Sequence, residues 1–88
     1  MLFDVRQKNM GIEYNIKFQK PDDFSISEFL SHIENPKDSN GWSAFTAQEI
    51  DGGLYFCDNC WTDQSTIALR RIIDAALMKC DKVTVEEA

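Results

Sequence analysis

The sequence predicts one α+β domain in β-α-β-β-α-β order, a ferredoxin-like arrangement with a four-stranded antiparallel or mixed sheet and two helices on one face. Three observations carry that reading. Polar and apolar residues alternate strictly over residues 12–19, two later segments each show one apolar stripe at helical spacing, and an Asp51-Gly52-Gly53 turn separates two strand-like runs. Right-handed β-α-β crossovers around the central hairpin then give the strand order 4-1-3-2.

The first strand follows from Ile12, Tyr14, Ile16 and Phe18 facing one way, with Glu13, Asn15, Lys17 and Gln19 facing the other. Lys20-Pro21 ends it, because proline has no N–H to donate. Ser25-Ile26-Ser27-Glu28 has the form of a capping box, with Phe24 and Phe29 at the spacing of a hydrophobic staple. Ile26, Phe29, Leu30 and Ile33 form one stripe, so a helix is expected over residues 26–34, stopped by Asn35-Pro36.

Residues 42–50 and 54–57 read as a hairpin around Asp51-Gly52, the dipeptide of a type I′ turn. After a loop ending in the cap candidates Thr62, Asp63 and Ser65, the residues Leu69, Ile72, Ile73, Ala76, Leu77 and Cys80 share a helical face. Val83-Thr84-Val85 is the final strand. Residues 10–88 form the domain, and residues 1–9, which carry no clear period, are expected to be a loose N-terminal extension.

At 88 residues the chain holds one domain, and 43% apolar with 27% charged residues excludes a wholly disordered chain. The net charge of −6 disfavours nucleic acid and anionic membranes as partners. No apolar run is long enough to span a bilayer, and the first residues lack the apolar core of a secretory signal. Three cysteines, an odd and sparse set, point to a reducing cytoplasm.

Chemistry-bearing motifs are few. Cys57-Asp58-Asn59-Cys60 is a CxxC ahead of a helix, which makes Cys57 and Cys60 weak candidates for a metal or redox site. Asp58 and Asp63 flank the thiols and oppose the thiolate, while Cys80 fits the core and His32 lies off its helix stripe. No nucleophile is set in a catalytic pattern, no glycine-rich loop suits phosphate, and no cofactor is expected.

Charge distribution says more. From Asp22 to Asp63 there are nine acids and one base, Lys37, a local net of −8. Aromatic residues interleave with these acids. Trp42, Tyr55, Asp58, Asn59, Trp61 and Asp63 are therefore the candidate partner-binding residues, with either Trp42 or Phe45 joining Tyr55 on the open sheet face. The expected function is non-catalytic binding of a basic protein partner by a cytoplasmic monomer or weak homodimer, in a regulatory, inhibitor or immunity-type role. The alternatives are a small-molecule or catalytic pocket between hairpin and second helix, and a thiol-based module on Cys57 and Cys60.

Overall fold

A computed structural model of the chain describes residues 11–88. The expected extension at residues 1–9 lies outside the described residues. Strand β1 (Ile12–Lys17) is followed by helix α1 (Ile26–Leu30), strands β2 (Phe45–Ile50) and β3 (Gly53–Asp58), helix α2 (Gln64–Leu77) and strand β4 (Thr84–Glu87). The four strands form one sheet in the order β2-β3-β1-β4, antiparallel at every pairing.

The register sorts the side chains. Ile16 lies opposite Leu54 and Tyr14 opposite Phe56, while Ala47 lies across Phe56 from β2. Ile16, Leu54 and Phe56 are fully buried, and Ala68, Ile72 and Ala76 of α2 join them in one core cluster. Phe45 stacks on Phe56 with ring centroids 5.1 Å apart. Phe45 is thus a core residue at 2% exposure, which corrects its expected alternative place on the open face.

Helix α1 begins as the capping box requires, because Ser25 Oγ accepts from the Glu28 amide at 3.4 Å. The staple closes too: Phe24 and Phe29 sit 5.3 Å apart, and both rings contact Phe18. The helix is shorter than the expected span of residues 26–34. Both the amide and the hydroxyl of Ser31 donate to the Glu28 carbonyl, and the Ile33 amide donates to Leu30. These i to i−3 bonds tighten the chain into turns where α-helical bonds would otherwise form. Ser25→Ala should still cost about 0.5–1 kcal/mol in urea unfolding, the lower part of the range for a lost N-cap.

Helix α2 buries Ser65, Ala68, Ile72 and Ala76, a ridge of mostly small side chains. Leu77, expected on that face, is 47% exposed. It lies one position past Ala76, about 100° around the helix from the buried ridge. The hairpin also departs from the expected turn. Ile50 pairs with Gly53 around Asp51 and Gly52, yet Cys60 is the one non-glycine with positive φ among the described residues. Of the two turn residues only Gly52 takes the left-handed region, at φ 82°, so the turn is not type I′.

Candidate functional site

At one end of the sheet the start of β1, the end of β3 and the start of β2 come level, since Ile12 and Phe45 both pair with Asp58. The loops leaving that end are tied together by backbone and side-chain bonds. Asn59 donates its amide to the Ala44 carbonyl at 3.0 Å and its Nδ2 to the Ser43 carbonyl at 3.0 Å. The Trp61 indole Nε1 donates to the same Ser43 carbonyl at 2.8 Å. Asn35 grips Phe45 from the side, accepting from its amide and donating to its carbonyl.

Trp42 is placed by a compact loop. Asp38 Oδ1 accepts from the amides of Asn40 and Trp42 at 2.8 and 2.9 Å, and the Asp38 amide donates to the Trp42 carbonyl. The two tryptophans therefore flank Ser43, 48% and 38% exposed, on backbone that is fixed. Asp58 accepts from the Cys60 amide at 2.7 Å, which holds Cys60 at φ 64°. Asp63 caps α2 by position but makes no side-chain cap bond; Thr62 Oγ1 accepts from the Gln64 amide instead. The Asp63 side chain is exposed.

Trp42, Asp58, Asn59, Trp61 and Asp63 thus gather at one sheet end. Tyr55 does not join them. It stands mid-strand on the face opposite the core, and its hydroxyl donates to Glu13 Oε1 at 2.6 Å. Lys17, on the same face, bonds Glu86 at 2.7 Å. On this face the Glu13 carboxylate and the Lys17–Glu86 ion pair are thus engaged within the sheet. Reasoning from sequence missed Ser43 and Asn35, whose carbonyl and amide organise the corner across long sequence gaps.

Glu13 also governs the titration of Tyr55. Its hydrogen bond pushes the phenol well above the ordinary value near 10, with burial and Cys57 adding in the same direction. The sign follows directly: this stabilisation is whole below pH ~10, where the unfolded phenol is still protonated, and is lost as pH rises beyond it. Burial raises the Cys57 thiol, although its bond with Tyr55 lowers it in part. Desolvation and then the Asp58 carboxylate raise Cys60. Both thiols should therefore react with iodoacetamide more slowly at pH 7 than free cysteine, and Glu13→Gln should bring the Tyr55 absorbance transition down in pH.

Among the described residues no group of three or more His, Cys, Asp or Glu side chains converges as a metal site. No helix there is long and apolar enough to cross a membrane. A cleft does lie between the hairpin turn and the segment after α2, bordered by Lys17, Phe18, Gly52, Cys80, Asp81 and Lys82. Comparison with protein-family models, with curated proteins and with solved structures returns no match.

Proposed function

We propose that this chain is a non-catalytic binding module that docks a basic segment of a protein partner on the sheet end formed by Trp42, Asn59, Trp61 and Asp63, with Asp58 behind them. One observation carries the reading: two tryptophans keep 48% and 38% of their surface exposed while the backbone beneath them is held by hydrogen bonds. Backbone that is already fixed, and for Trp61 an indole that is already hydrogen-bonded, loses little freedom on binding, and tryptophan is among the residues enriched at interface hot spots. The surrounding stretch of nine acids against one base supplies the attraction for a basic partner and speeds its encounter.

The same reading places the protein in a regulatory, inhibitor or immunity-type role in the cytoplasm, as a monomer or weak homodimer. It takes the fold as ferredoxin-like with both helices on one face. The strand order and the shared cluster of Phe29, Ile72, Ile16 and Phe56 support this. The opposite face is left polar and self-paired.

Salt provides the test. Exposed charges are screened as the Debye length falls from about 10 Å at 0.1 M to about 3 Å at 1 M, so partner affinity should fall steadily across that range. Affinity independent of salt would remove the electrostatic part of the reading.

A further inference from the structure

We propose that two copies of this chain associate through the outer edge of β2, paired antiparallel about Gln48, so that one sheet runs on through both copies. Asn35 shows which backbone groups that edge presents. It accepts from the Phe45 amide and donates to the Phe45 carbonyl, so both groups point away from β3. Inward and outward residues alternate along an antiparallel ladder. Thr46, Gln48 and Ile50 therefore exchange bonds with β3, while Ala47 and Glu49 turn their amides and carbonyls outward. Among the described residues β2 is an outer strand, and no further strand lies on that side.

This edge lacks the usual defences against pairing. Strand β2 is six residues long, contains neither Lys nor Pro, and keeps an unbroken register to β3. The other outer strand, β4, has four residues and ends in Glu86-Glu87, so it is short and acidic. Charge selects the occupant of the β2 edge. Glu49 is the one ionised side chain of β2, and it is already paired with Lys20 at 2.8 Å. The edge thus fits a neutral strand better than a basic one, and a second β2 is such a strand. Centred on Gln48, the pairing sets Ala47 against Glu49 of the second copy, and each such pair exchanges both backbone bonds. Thr46 meets Ile50, Gln48 meets its own counterpart, and no like charges stand directly opposite. The length fits as well. Asn35 already occupies the edge at Phe45, where the second copy's strand has reached Asp51 and turns away into its own hairpin. The net charge of −6 on each copy opposes the contact, so association should be weak, with Kd on the order of 0.1 mM.

Sedimentation equilibrium and residue-resolved amide exchange test this on the full chain. At roughly ten times Kd the Ala47 and Glu49 amides should exchange about fivefold more slowly than in dilute protein. The Thr46 and Gln48 amides, already bonded to β3, should not change. Gln48→Lys places like charges across the axis and should weaken association about fivefold, although it lowers the net charge that drives the copies apart. Gln48→Glu should weaken it too, and an equal mixture of the two variants should restore the parent's affinity. Gln48 is exposed, so neither change disturbs the core. A chain that stays monomeric, or exchange at Ala47 and Glu49 that ignores concentration, overturns the proposal. So does a Gln48→Lys variant that associates as well as the parent, or a mixture no tighter than its components. Docking of a partner at Trp42 and Trp61 enters none of these readouts, so that reading stands or falls separately.

Discussion

Replacing Gly53 by alanine should be the most destabilising single small substitution in the hairpin, removing a large part of the domain's stability. A Cβ at this position would stand 2.0 Å from the Ile16 carbonyl oxygen and 2.9 Å from the Lys17 Cα, and both neighbours are backbone of the paired strand β1. No side-chain rotation relieves that clash. The central pair of strands must separate, and Ile16 with Leu54, the very next pair in the ladder, is fully buried. The cost should reach about 3 kcal/mol or more, the upper end for overpacking. A domain of this size holds only about 4–12 kcal/mol in all. Gly52 is the informative neighbour. A Cβ there meets nothing within 4 Å, and alanine would pay only for φ 82°, about 1–2 kcal/mol. Thermal melts followed by circular dichroism should therefore rank parent, Gly52→Ala and Gly53→Ala in that order, with the last well separated. Similar melting temperatures for the two glycine variants would show that β1 and β3 do not approach as described.

That pair of glycines also marks what was legible in the sequence. Asp-Gly between two apolar runs located the hairpin, because few residues tolerate a two-residue reversal. It did not reveal the turn type, since Asp51 keeps a negative φ and Gly53 serves the close approach of β1 instead. Strand β1 was plain from its alternation, and the Phe24–Phe29 staple from its spacing, because both are local patterns with a fixed period. Phe45 was ambiguous, since a lone aromatic at a strand start can face either way until the register to Asp58 is known. Leu77 fell within the broad apolar stripe, but the buried ridge of Ala68, Ile72 and Ala76 is narrower and leaves Leu77 on its flank.

The candidate site was legible in composition and not in arrangement. Exposed tryptophans among acids suggested a docking surface, and five of the six residues do gather at one end. Tyr55 stands on the open face, where alternation along β3 put it, but its bond to Glu13, 42 positions away, depends on the pairing of β1 with β3. The Ser43 carbonyl, accepting from both Asn59 and Trp61, is a backbone atom that no residue type announces.

The second large effect concerns binding. Trp42→Ala with Trp61→Ala should weaken partner binding at least ~100-fold, since interface tryptophans commonly cost 2 kcal/mol or more each when truncated. Stability should fall less. Trp42 lies in a loop that Asp38 holds through backbone amides, and Trp61 gives up one bond to a carbonyl that Asn59 also serves. Asp63→Asn removes a charge that makes no cap bond and so tests steering without disturbing α2. Asp58 is the poorer choice, because its carboxylate also fixes Cys60.

The central claim is tested most directly by quantitative capture of partners from the native host. Parent chain, Trp42→Ala with Trp61→Ala, and Arg70→Glu with Arg71→Glu are compared side by side, each first shown to be folded. A basic protein held by the parent and the arginine variant but lost from the tryptophan variant is the predicted result. The same protein retained by the tryptophan variant and lost from the arginine variant would contradict it and move the docking surface to helix α2.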